Sequence, residues 1–529
     1  MNNKKLIGFT ITTEKVNPSI DIFNVGLKLF TITHNNFHIY LWGIGEIENC
    51  KINGKYSLSF PLNDSLLDRN ILISFEGNEI IIENDWLGSI PVFYNPIEKI
   101  VSTISNFCLK DIKIHKEGLS NFCEFGFSVF EQTVFEDVKF MRYYSKLIVS
   151  NEFIKVEYKI DPVTEESFLE KESDENDVID LMQDYVSRIE SKMDGDIMLP
   201  TSGGYDSRLL NYLVKDKSRI RSFTYGLSKD QTKSSEVVHA KKISEIFSTK
   251  WEQIELKNYP KYVSKWFSIY GFSTHLHGMY HIEFYNNILE KHKFNNPSFL
   301  SGIIGDAWSE LGKFKSVTHY NDIVFLGYTH GMDLELKYLN QTVSEEIKKQ
   351  FFEFNKEILK NDKIKVVFAM RVKLMLISYL TQIPEYFGFP VWTPFLNFNI
   401  VRATLNINDE RRKNRIWQRD FFKKVGLYLE AMNLKSDKSN MLDYEIAQSN
   451  YFEPIDTEMM KTFIKVEKLI EINRFLSKIT FFESIKNQLL VTPKIGGMLR
   501  RLGFKSNFLK VHYEYYIIKA IEMGLKHGN

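Results

Sequence analysis

The chain has 529 residues, enough for two or three domains with separate cores. Hydrophobic residues make up 43% and charged residues 26%, the balance of an ordinary globular protein. A net charge of +1 excludes a global field that would recruit nucleic acid or an anionic membrane.

Residues 1–160 read as β. The runs KLIGFTITT, FHIYLWGIGEI, NILISFEGNEIIIEND and KLIVSNEFIKVEYKI alternate and are rich in β-branched residues. The turn signals FEGNE, LNDS and DWLGSIP separate them, so a layered antiparallel domain is predicted. The first apolar stretch, in MNNKKLIGFTITTEK, is too brief for a secretory segment and lacks a small-residue cleavage site, and a cytoplasmic protein is expected. Cys50, Cys108 and Cys123 have no metal-ligand spacing and read as buried, reduced thiols.

Near residue 161 the character changes. An acidic, Pro-containing linker leads into a helix, and strands then alternate with helices: DIMLPT and SRLLNYLVKD, IRSFTYGL and SSEVVHAKKISEIF, then KWEQIEL. This predicts a parallel sheet with helices on both faces. Beyond about residue 260 the pattern is mainly helical, broken at NPSFLSGIIGD and FGFPVWTPFLN. The longest apolar run, VVFAMRVKLMLISYL, is interrupted by Arg371 and Lys373 and reads as a buried or amphipathic helix, with no membrane span predicted. There is no internal repeat.

The stretch LPTSGGYDSRLL, residues 199–210, carries the chemistry. Gly203 and Gly204 allow a strained turn between strand and helix and a close anion approach. The first helical turn leaves free N–H groups at a positive dipole end, and together they form an anion cradle. Ser202 and Ser207 add hydroxyl donors, and Asp206 suits a magnesium ion bridging phosphate oxygens. Neither the Walker pattern nor the dinucleotide fingerprint is present. The simpler alternative is a capped Gly-Gly turn with Asp206 as a helix N-terminal charge.

SGGYDSR resembles the pyrophosphate loop of the N-type ATP pyrophosphatases. Further stretches, in matching order, resemble the asparagine synthetase branch, which includes β-lactam synthetase-like members. They are SFTYGLSKDQTKSSEVVHAKKISEIF with Glu236 and Ala240, SGIIGDAWSEL, PFLNFNIVRATLNIN, and, in the N-terminal region, DWLGSIPVFYN and FGFSVFEQTVFEDVKFM. The resemblance spans about residues 5–430. It implies an α/β protein in three parts: an N-terminal layered antiparallel, Ntn-hydrolase-like αββα domain (1–160) related to glutaminases, a parallel-sheet ATP pyrophosphatase domain of the adenine nucleotide α hydrolase-like type (161–430), and a helical extension (431–529).

The resemblance also implies an activity. An ATP-dependent ligase of this branch activates a small carboxylate as an acyl-adenylate, releases pyrophosphate, and passes the acyl group to ammonia or another amine. ATP and Mg2+ are the implied cofactors. Asp206 and Asp306 would bind the metal, and Ser202, Gly203, Gly204 and Ser207 the pyrophosphate. Leu199, Thr224, Tyr225 and Gly302 would border the nucleotide. Lys413 and Arg415, in KNRIWQRDFF, stand near the position of a family lysine that serves acyl transfer, although Arg deprotonates poorly. His277, His281 and Ile303 fall where the family builds its substrate pocket.

Departures bear on the second half-reaction. The family's glutaminase nucleophile is a Cys exposed by loss of Met1; Asn2 stands here, so glutamine hydrolysis is expected to be absent. Ile304 replaces a Gly, Ala307 a Glu, and Asn397 an Asp. Two other readings stay open: a nucleotide-binding pseudoenzyme of the same fold, and a tRNA-modifying ATP pyrophosphatase, for which no basic RNA surface is visible. The expected partners are small-molecule carboxylate and amine substrates, without nucleic acid, and a homodimer is not excluded. His275, His277 and His281 read as pocket or surface histidines in preference to a metal site. The segment YLEAMNLKSDKSNMLDYE reads as a lid over the active site. The basic, apolar PKIGGMLRRLGFKSNFLKVHYEYYIIKAIEMGLK reads as a helical extension packed on the synthetase domain, in preference to a surface that docks on an anionic membrane or a carrier.

Overall fold

The computed structural model describes residues 4–16, 18–169, 171–312, 314–327, 331–477, 481–492, 495–502, 504 and 507–527. Asn2 lies outside the described residues.

Two antiparallel sheets of six strands occupy the N-terminal region. One runs in the order Lys139–Phe140, Phe93–Asn95, Ile100–Ser102, Lys5–Thr12, Phe37–Ile44, Lys28–His34. The other runs Ile154–Tyr158, Ser145–Val149, Glu79–Asn84, Ile71–Glu76, Lys55–Ser57, Lys51–Ile52. The period-two pattern decides how they stack. Phe9, Ile11, Ile39 and Leu41 meet Ile71, Ile73, Ile80 and Ile82 in a core between the sheets. Trp42, Phe93 and Ile100 face the other way, into the core of the rest of the molecule. A bulge between Leu6 and Gly8 keeps Leu6 and Phe9 on the same face despite their odd spacing. The three cysteines are buried and unpaired.

The second region is built on a five-stranded parallel sheet. Its order is Lys250–Gln253, Ile220–Thr224, Ile197–Met198, Ser298–Leu300, Val391–Trp392. The chain moves outward in one direction from Ile197–Met198 and then returns to place Ser298–Leu300 on its other side. Such a reversal opens a crevice at the carboxyl ends of the two adjacent strands. No single helix among the described residues is long and apolar enough to cross a membrane. The pair Asp362–Val372 and Leu374–Tyr386, bent by 64°, is apolar enough together, but most of its side chains are buried in the core.

Buried charge ties the two regions. The guanidinium of Arg69 makes two hydrogen bonds to Glu385, at 2.9 and 3.0 Å, and the ammonium of Lys5 lies 3.0 Å from the same carboxylate. Trp86 donates from its indole to the carbonyl of Leu396, and Arg371 grips Asp161 and the carbonyl of Trp86. One anion shared by two cations leaves Lys5 under-compensated. Burial, only partly offset by Glu385, pulls the Lys5 ammonium down from 10.5 to about 8.

The C-terminal chain closes over the sheet. The segment read as a lid is fixed in part by backbone bonds: Asp437 N–H donates to Lys233 O at 2.7 Å, Ser235 N–H to Asp437 O at 2.9 Å, and Met441 N–H to Leu227 O at 2.7 Å. The helix Asn507–His527 packs behind it, with most of its side chains buried.

Between about pH 8 and 10.5 the unfolded chain holds the Lys5 proton more tightly than the folded chain, so this group makes stability rise with pH across that window. Lys5→Met removes that rise in denaturant titrations. Glu385→Ala leaves two buried cations without their anion and lowers stability by about 3–5 kcal/mol.

Candidate functional site

The crevice is bounded by two turns. The first follows Ile197–Met198, whose hydrogen bonding to the next strand continues through Leu199 N–H to Arg221 O (3.0 Å) and Thr201 N–H to Phe223 O (3.2 Å). A buried polar network roots this turn. Thr201 and Ser222 hydroxyls bond to the carbonyl of Leu199, Asn211 donates to Thr201 Oγ1 at 3.0 Å, and the Thr224 hydroxyl bonds to Thr201 O. Gly203 then turns with φ +78°, and a Cβ there would stand 2.3 Å from the Cβ of His239. Both strain and crowding therefore demand glycine. Gly204 precedes the helix Tyr205–Leu213, and no side chain caps its first turn. Ser202 N–H donates to Ser207 Oγ at 3.3 Å, and that hydroxyl donates to Gly204 O at 3.4 Å. The result is a compact ring of residues around an uncapped helix N-terminus.

A fully buried arginine fastens this turn from outside. Arg208 donates to Gly203 O at 2.8 Å, to Leu427 O at 3.0 Å, and to both oxygens of Glu430 at 3.1 Å. Burial works against the charge on Glu430, but the Arg208 fork holds its carboxyl below the usual carboxylate range. Arg208 was legible only as the residue closing SGGYDSR. Glu430 and His239 carry no local signal of their role.

The second turn follows Ser298–Leu300 and enters the short helix Gly305–Ser309. It lies directly against the first. A Cβ on Gly305 would stand 2.7 Å from the Asp206 carboxyl carbon, so this carboxylate rests on the backbone just before Asp306. Ile304 adopts φ +52°, a left-handed conformation that a β-branched residue rarely takes and that glycine tolerates freely. Trp308, Arg412 and Trp417 anchor the short helix through bonds to Phe395 O, Trp308 O and Ser309 O.

The crevice holds about 430 Å³. Ser202, Gly204, Asp206, Ser207, Thr224, Tyr225, Gly302, Ile303 and His281 all line it, as do Glu236 and the aromatic wall Phe284, Tyr285 and Phe299. Other residues picked out by the sequence stand apart. Leu199 is buried inside the sheet, and Gly203 is turned toward His239. Asp306 follows Gly305 on the short helix and is half-buried. Lys413 is exposed; Arg415 lies 5.0 Å from the Tyr205 ring, with Nε 3.6 Å from Glu310. His277 is not on the wall.

His277 belongs instead to a cluster assembled by the C-terminal segment. Its Nε2 lies 3.0 Å from Asp443 Oδ1, which also accepts from Tyr259 at 2.8 Å, while Tyr513 donates to Oδ2 at 2.9 Å. Burial opposes ionisation of Asp443, yet the His277 charge and these donors hold it at about 2. His275 and His281 are pulled by burial to about 3 and are neutral at ordinary pH. Among the described residues no group of three or more His, Cys, Asp or Glu is arranged to hold a metal. No Lys or Arg among the described residues lines the crevice.

No family model and no curated protein matches the sequence. Among solved structures the chain is similar to an NH3-dependent NAD synthetase from Campylobacter jejuni subsp. jejuni NCTC 11168, in complex with the nitrate ion. The identity is 13%, the TM-score 0.22, and the match covers 39% of this chain and 95% of that chain. The similarity is too slight to bear on function.

Arg208→Ala frees the glycine turn from the chain near residue 430 and lowers stability by about 2 kcal/mol, read from thermal or denaturant unfolding. Arg208→Lys recovers little of this, because an ammonium cannot span Gly203 O and both Glu430 oxygens.

Proposed function

We propose that the chain is an ATP-dependent ligase that activates a small monocarboxylate as an acyl-adenylate and transfers the acyl group to an amine. The observation that carries this reading is the contact of the two turns, with Asp206 resting on Gly305 beside an uncapped helix N-terminus. The resemblance of SGGYDSR and SGIIGDAWSEL to the pyrophosphatase loops of asparagine synthetase-type enzymes supports it.

The physical problem is charge. A carboxylate oxygen attacks the α-phosphorus of ATP, and the bond from that phosphorus to the bridging oxygen of the β-phosphate breaks. Pyrophosphate leaves with the electron pair. In this reading the amides at the start of Tyr205–Leu213 and the hydroxyls of Ser202 and Ser207 receive that growing charge. Asp206, with Asp306 one residue beyond the Gly305 backbone on which it rests, would hold a magnesium ion, which takes few protein carboxylates. Bound there, the ion would supply charge neutralisation for the triphosphate and its leaving group. The neutral amine then attacks the acyl carbon. The bond from that carbon to the phosphate oxygen breaks with its electron pair going to AMP, and the nitrogen gives up one proton to solvent. Phe284, Tyr285, Phe299 and Ile303 keep water from the adenylate.

The same wall bears on substrate. A second carboxylate or phosphate on the substrate would face Asp206 and Glu236 with no Lys or Arg among the described residues of the crevice surface to balance it. Ile303 adds apolar surface where other members of the resembled branch use a polar side chain. The acid accepted is therefore one whose remainder is uncharged.

ATP–pyrophosphate exchange with a panel of carboxylates tests this reading. Exchange should depend on one uncharged-tail acid, and Asp206→Asn should lower it by about a hundredfold or more while leaving the thermal unfolding transition in place. Tight ATP binding without exchange for any acid would favour the pseudoenzyme.

A further inference from the structure

The helices Phe481–Val491 and Ile495–Arg501 lie against each other near the C-terminus. Phe482, Ile485 and Leu489 follow helical spacing and share one side of their helix; Ile495 and Met498 do the same on theirs, and Leu502 follows just past its end. All six are exposed: Phe482 by 82%, Met498 by 58% and Leu502 by 67%. Single exposed apolar residues need no explanation, but two such rows on touching helices form a surface that something covers.

Charge says what covers it. In residues 478–506 the sequence has six basic residues, Lys478, Lys486, Lys494, Arg500, Arg501 and Lys505, against one acid, Glu483. The segment therefore carries a net charge of +5 in a chain whose overall net charge is +1. A two-fold contact with a second copy would press two such basic segments together. An anionic bilayer surface suits both features: its acyl region takes the apolar rows, and its phosphates attract the net positive charge of the segment. In that segment Arg501 is exposed and Lys486 lies 3.6 Å from the single acid, Glu483.

We propose that this helical pair docks the protein onto the surface of an anionic lipid bilayer, lying in the headgroup plane without spanning it. The interaction is independent of the ligase reading, because it uses no residue of the crevice.

Sedimentation of the full chain with lipid vesicles tests it. The chain should bind vesicles rich in phosphatidylglycerol, bind phosphatidylcholine vesicles far more weakly, and release as salt rises. Leu489→Asp with Met498→Asp should weaken binding about tenfold or more, with unchanged thermal unfolding. Lys486→Glu with Arg501→Glu should weaken it similarly, and binding by that variant should lose its salt dependence. Absence of binding to phosphatidylglycerol vesicles overturns the proposal. So does equal binding by the first variant, or a solution dimer that the same substitutions dissolve.

Discussion

Two turns leave the carboxyl ends of adjacent parallel strands, and the reversal in strand order makes them share one space. Asp206 rests on the backbone of Gly305, where no side chain would fit. Gly203 makes the companion turn possible, because its backbone is left-handed and the helix carrying His239 crosses too closely for a Cβ. These two close approaches bring an uncapped helix N-terminus and Asp206 against the turn that precedes Asp306, and the aromatic wall of Phe284, Tyr285 and Phe299 lines the crevice beside them.

Such a site needs support from outside, since turns are the least constrained parts of a sheet. Arg208 supplies it for the first turn by tying Gly203 to Leu427 and Glu430. Trp308, Arg412 and Trp417 supply it for the second. The N-terminal sheets act at longer range, through the charges around Glu385 and the indole of Trp86. The C-terminal segment contributes Asp443, which collects three donors from separate elements.

The strands were readable wherever a period-two pattern or an apolar run ended in a turn signal. KLIGFTITT became Lys5–Thr12, NILISFEGNEIIIEND became a hairpin, and the alternation from DIMLPT onward became the parallel sheet. The glycine turn was readable because its residues are contiguous, and most of its neighbours in sequence line the crevice. His277 illustrates the limit. Its neighbourhood in sequence suggested a pocket histidine, but Asp443, 166 positions away, draws its ring into another cluster. The segment YLEAMNLKSDKSNMLDYE reads as a lid because a water-excluding cover would serve an acyl-adenylate. It is held in part by backbone bonds to the loop at 227–235, a long-range contact with no local signal in the sequence. Ile304 is the opposite case, a residue whose strain no sequence pattern announces.

The central claim is that pyrophosphate sits on the amides of residues 202–207 with a divalent ion between Asp206 and Asp306. Crystals grown with pyrophosphate and Mn2+ test it most directly through anomalous scattering. The account predicts one manganese peak within bonding distance of both carboxylates and a pyrophosphate against the first turn of Tyr205–Leu213. A manganese peak away from these two side chains, or pyrophosphate bound elsewhere with the glycine turn empty, would contradict it.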